Sequence, residues 1–80
     1  MKAPVEELII EIFKKHNVIV LEKYYDDHLD YLSGIDSISY VQIIIDISKK
    51  FEIEIQDKDY ILYDLTTVNN IIRYVEDKLS

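Results

Sequence analysis

Apolar residues recur at three- and four-residue spacing in three stretches of the chain, the pattern of helices that each bury one face. Val5, Leu8, Ile9, Ile12 and Phe13 form the first series. Pro4 stands at its start, where a missing N–H costs little, so the spacing predicts a helix from about Pro4 to His16 that Asn17 stops. Ile38, Val41, Ile44, Ile45, Ile47 and Phe51 predict a second helix from Ser37 to Lys50 or Phe51. Val68, Ile71, Ile72, Val75 and Leu79 make a third stripe, with an N-cap offered by Thr66 and Thr67.

The segments between the stripes are less regular. Val18-Ile19-Val20-Leu21 suits a short strand or a further helical turn, and a run of that length does not distinguish them. From Glu22 to Asp36 no period is sustained, and this connection is longer than most helix–helix loops of small domains. Glu52 to Gln56 alternates like a strand but has no convincing strand to pair with, so it reads as an extended connection anchored by Ile53 and Ile55. A brief helical turn is expected over Tyr60 to Asp64. The fold class that follows is all-α: a small four-helix bundle, three main helices plus one short helix, with a long loop between helices one and two.

The second helix carries two apolar faces. On a helical wheel Ile43, Ile44, Ile47 and Phe51 gather on one side, and Ile38, Val41 and Ile45 lie roughly 140° away. One group supplies a core stripe. The other is either covered by the long loop or left as an interaction surface.

Composition narrows the class. The 80 residues suit a single domain over positions 1–80, and 49% apolar content fills a core in a chain with one glycine and one proline. There is no cysteine, which excludes a disulfide framework or a thiolate metal site. Sixteen acidic against nine basic side chains give a net charge of −7, which disfavours nucleic acid and anionic membrane surfaces and favours basic protein partners. The opening MKAPVEELIIEIFKK lacks the apolar core of a signal peptide, and no run reaches membrane-spanning length. A cytoplasmic monomer without membrane insertion is expected.

Candidate chemistry centres on SGIDSISYVQ, residues 33–42. Gly34 lets the chain turn sharply, Asp36 is placed to cap the second helix, and Ser37 opens it. A phosphate or phosphodiester at that position would meet the free amides and positive end of the helix dipole. The second apolar group begins beside it at Ile38.

With Gly34, Asp36, Ser37, Ile38, Val41, Phe51, Ile55 and Thr66-Thr67-Val68 in that order, the chain resembles the acyl carrier protein family over essentially its whole length. The resemblance implies that 4′-phosphopantetheine is attached to Ser37, with Asp36 as the other motif residue, and that the protein is not an enzyme. It also implies a phosphopantetheinyl transferase, an acyl- or aminoacyl-loading ligase and downstream synthase enzymes as partners, which Ile38, Val41, Ile45, Tyr40 and Gln42 would meet. The cargo, a fatty acyl chain, a polyketide intermediate or an aminoacyl group, stays open. Two departures from the family pattern stand out. Ser33 separates Leu32 from Gly34, and the second helix has Gln42, Ser48, Lys49 and Lys50 where carriers of fatty acid synthesis usually show acids, keeping only Asp46. Because the chain opens with Met1 and ends soon after the last helix, a stand-alone carrier is expected.

Rival readings carry less. Ser37 with His16 or His28 lacks the G-x-S-x-G elbow of a hydrolase. Neither Asp26, Asp27 and Asp30 nor Asp57 and Asp59 follow the EF-hand order, and His16 and His28 have no zinc spacing, so no metal is expected. The closest alternative is an unmodified helical protein-interaction module of the same fold.

Overall fold

Helices form where the apolar stripes predict them, and the chain leaves each of the first three through the same turn. The computed structural model describes residues 4–29 and 35–79. Helix α1 spans Val5–Lys15, α2 Ser37–Phe51, α3 Asp57–Leu62 and α4 Val68–Leu79, with a single 3₁₀ turn over Glu22–Tyr24. Glu6 and Glu7 open α1, and Lys14 and Lys15 close it, each sign matching its end of the helix dipole.

Asn17, Glu52 and Asp64 sit in the left-handed region at φ 66, 54 and 50°. After each of them comes an apolar residue whose N–H reaches back to a carbonyl of the helix just ended: Val18 to Phe13, Ile53 to Ser48, and Leu65 to Tyr60. This is the helix-ending motif in which a left-handed residue reverses the chain and the next side chain plugs the core. Val18 and Leu65 are buried and Ile53 is half-buried. Asn17 thus stops α1 as its sequence position predicts.

The core is drawn from Ile9, Ile12 and Phe13 of α1, Ile43, Ile44 and Ile47 of α2, and Val68, Ile71, Ile72, Tyr74 and Val75 of α4. Val18, Val20, Leu29 and Leu65 complete it from the connections. The Val18–Leu21 run is extended: Val18 and Val20 point inward while Ile19 and Leu21 are exposed. The connection after it is fastened to the start of α4. Leu29 N–H donates to the Thr66 carbonyl at 2.8 Å, Asn69 N–H to the Tyr25 carbonyl at 3.0 Å, and the Asn69 amide to Asp26 at 2.6 Å. A radius of gyration of 11.6 Å agrees with about 12 Å for a compact chain of this length.

Two details differ from the sequence pattern. The short helix begins at Asp57 and not at Tyr60, because the Asp59 carboxylate accepts the Gln56 backbone N–H at 3.2 Å and secures a first turn upstream of the apolar residues. The α4 stripe also includes Tyr74, buried to 1% exposure, whose hydroxyl donates to Asp59 at 2.6 Å, whereas Leu79 is left exposed at the helix end. A buried phenol is tolerated there because α3 brings it an acceptor.

Candidate functional site: the start of helix α2

Asp36 caps α2, its backbone extended at φ −114° and ψ −178°, with a carboxylate oxygen accepting the Ser39 N–H at 2.7 Å. That amide, assisted by the Ser39 side chain, holds the Asp36 carboxyl below the usual carboxylate range, so the cap is ionised near neutrality. Ser37 is the first residue of α2 and is exposed. Its hydroxyl has no hydrogen-bond partner among the described residues and stands at the positive end of a helix of 15 residues. The turn expected at Gly34, with Leu32 and Ser33 before it and Asp30 of the acidic run, lies outside the described residues. Among the described residues nothing bonds the Ser37 hydroxyl, and the helix end favours a phosphodiester on its oxygen, so the residues present fit the group that the sequence resemblance implies.

From Ser37 the outer face of α2 stays apolar: Ile38, Val41 and Ile45 are 69%, 53% and 45% exposed. The inner face, Ile43, Ile44 and Ile47, is buried, so the two groups on the wheel are two surfaces of the molecule. Gln42 is exposed beside the strip. Tyr40, expected to face partner enzymes, is half-buried, and on the wheel it lies about 40° from Ile44 and about 20° from Ile47, on the inner side of α2. Its hydroxyl donates to the Leu65 carbonyl and its ring lies 6.4 Å from that of Tyr60. The wheel alone therefore separates Tyr40 from the outer strip, and the tertiary fold supplies the Leu65 carbonyl and the Tyr60 ring that it meets.

The remaining candidates lie apart from Ser37. His16 pairs with Asp46 at 2.6 Å, about 13 Å further along α2 from the serine, which removes it as a base for that hydroxyl. The His16 contact holds the Asp46 carboxyl below its ordinary range. His28 lines a cleft of about 300 Å³ with Leu29, Tyr40, Tyr60 and Thr66, which opens one turn along α2 from Ser37. No sequence motif marks this cleft; the nearest signal is the pair of large aromatics Tyr40 and Tyr60. Among the described residues no group of three or more metal-ligating side chains could hold an ion, and no helix is long and apolar enough to cross a membrane.

Comparison with known proteins bears on this geometry. Residues 5–75 match the family model described as the phosphopantetheine attachment site. The chain is 34% identical over 76 residues to the acyl carrier protein of Exiguobacterium sp. strain AT1b, an alignment covering 94% of this chain and 89% of that protein. It is 33% identical over 76 residues, with the same coverage, to the acyl carrier protein of Exiguobacterium sibiricum. No solved structure matches significantly. The family's cofactor is 4′-phosphopantetheine, and its members are carriers, not enzymes. The all-helical bundle, the match over residues 5–75 and the full-length relatives together place this chain in the acyl carrier protein family.

Proposed function

We propose that this protein carries acyl intermediates on a 4′-phosphopantetheine group attached to Ser37. One observation carries the reading: Ser37 is exposed, unbonded among the described residues, and set at the α2 N-terminus inside the segment matched as a phosphopantetheine attachment site. The group supplies a thiol on a flexible arm, where the cargo is held as a thioester. The protein's own share is positional. Asp36 fixes the first turn, and the helix end stabilises the phosphodiester. Ile38, Val41, Ile45 and Gln42 offer partner enzymes a surface beside the serine, and the cleft at Tyr40 and Tyr60 gives a tethered cargo a place to shelter from water.

On this reading the partners are a phosphopantetheinyl transferase, an acyl- or aminoacyl-loading ligase and the synthase enzymes that use the cargo. The protein works as one cytoplasmic, monomeric carrier domain. Fatty acyl, polyketide and aminoacyl cargoes are all compatible with the site.

Incubating the purified chain with coenzyme A and a broad-specificity transferase should add the mass of one phosphopantetheine group, read by intact-mass spectrometry. Ser37→Ala should gain nothing. A wild-type chain that stays unmodified would support the unmodified interaction module in place of the carrier, and an adduct that survives Ser37→Ala would move the site to another residue.

A further inference from the structure

The cleft beside Tyr40 and Tyr60 is closed by bonds that run between its own walls. Its lining comes from four parts of the protein: His28 and Leu29 of the long connection, Tyr40 of α2, Tyr60 of α3 and Thr66 of the α3–α4 connection. Leu29 N–H donates to the Thr66 carbonyl at 2.8 Å, and Leu65 N–H donates to the Tyr60 carbonyl at 3.2 Å. The Leu65 carbonyl in turn accepts the Tyr40 hydroxyl, and the Tyr40 and Tyr60 rings meet at 6.4 Å with their planes 59° apart. Leu65 is therefore held by both of its backbone polar groups, one to each tyrosine.

These bonds fix the size of the cleft. At about 300 Å³ it stands at the low end of the roughly 300–1,000 Å³ of pockets that enclose a drug-sized ligand. Tyr40 packs on the core, where Leu65, Ile43, Ile47 and Val68 are buried and close-packed. An acyl chain longer than the cleft reaches that interior only by swinging Tyr40 aside. The movement parts the two rings and takes the hydroxyl from the carbonyl of a buried residue, and a buried acceptor that loses its donor is costly. Tyr40 is three residues beyond Ser37, about 4.5 Å along the helix axis, so an arm rooted on the serine reaches the cleft by folding back along α2.

We propose that Tyr40 sets the size of the cargo: the cleft shelters a short acyl chain, up to about octanoyl length, and the tyrosine bridge keeps longer chains out of the core. This rests on the carrier reading and narrows it. Short members of the fatty acyl, polyketide and aminoacyl classes fit, whereas a long-chain fatty acyl group leaves its distal methylenes in water. Exposed methylenes forgo the free energy that burial would return, so a long cargo gains no more from this carrier than a short one. Tyr40 is thus a specificity-determining residue that acts by closing space and not by bonding the cargo.

A series of acyl lengths tests this. A broad-specificity transferase loads the full-length protein from the acetyl, butyryl, octanoyl, dodecanoyl and hexadecanoyl thioesters of coenzyme A, and intact mass identifies each product. Calorimetry should show Tm rising with length as far as octanoyl, by about 4 °C or more over the acetyl form, and staying level from there to hexadecanoyl. By nuclear magnetic resonance the octanoyl group should shift the amides of Leu29, Tyr40, Tyr60 and Thr66 relative to the acetyl form, and leave those of Ile43 and Val68 in place. Tyr40→Ala, or Tyr40→Phe where the alanine variant does not fold, should carry the rise in Tm past octanoyl. A wild-type Tm that climbs steadily to hexadecanoyl would overturn the inference without any variant. So would an octanoyl group that leaves the cleft amides unmoved, or a plateau that the folded variant keeps. A wild-type protein that gains no acyl-phosphopantetheine mass defeats the carrier reading itself, whereas a loaded protein without the plateau defeats only the size limit.

Discussion

At the scale of single residues the chain ends its helices without glycine. The one glycine in the sequence is Gly34, so the left-handed positions fall to Asn17, Glu52 and Asp64. Asparagine and aspartate tolerate this conformation through local hydrogen bonds, and glutamate does not. Asn17 could therefore be read as a stop from the sequence, while Glu52 looks like part of an alternating strand-like run. Replacing Glu52 with glycine should relieve the contact between Cβ and the backbone while removing only an exposed side chain. The expected gain is about 1 kcal/mol, or a rise in Tm of about 4–8 °C by calorimetry. No gain would mean that the exposed glutamate contributes as much as its backbone costs.

At the scale of elements, α2 separates a packed face from an exposed apolar one by roughly 140°. Ile43 is fully buried and Ile45 is 45% exposed, although both are isoleucines two positions apart. Ile43→Ala should cost about 2–5 kcal/mol in urea unfolding because it opens a cavity in the core. Ile38→Ser and Ile45→Ser should stay within about 0.5 kcal/mol of the parent, yet slow transferase loading of Ser37 severalfold. A large stability loss in the serine variants would show that the strip is covered and not presented. Periodicity was enough to find this helix and both its faces. It was not enough for α3, whose start is set by the Asp59 carboxylate on the Gln56 amide, or for the partners of Tyr40, the Leu65 carbonyl and the Tyr60 ring, which come from distant parts of the chain.

At the scale of the whole molecule, stability is tied to three ionised carboxylates. Asp36 is held below its ordinary pKa by the Ser39 amide, Asp46 by His16 and Asp59 by the Tyr74 hydroxyl. A carboxylate with a depressed pKa in the folded state binds protons more weakly there than in the unfolded chain. Its stabilisation is complete above the ordinary carboxylate value and is lost as pH falls through the folded one. The bundle should therefore lose stability progressively below about pH 4. Asp59→Asn should unfold at lower urea than wild type at pH 7, with the gap narrowing as wild-type Asp59 becomes protonated. A gap that is constant from neutral to acid pH would show that Asp59 acts through shape and not charge. The Tyr74 phenol, raised by burial and by that same carboxylate, stays protonated throughout this range and remains the donor.

The sequence by itself determined the three main helices, the two faces of α2 and the position of Ser37 behind its capping aspartate, because spacing, capping and turn preference act over a few residues. Tertiary structure alone decided the direction of Val18–Leu21, the start of α3, the partners of Tyr40 and the burial of Tyr74. Each of these depends on which remote groups supply an acceptor, a covering side chain or a neighbouring charge. Such partners are brought together only when the chain closes around its core.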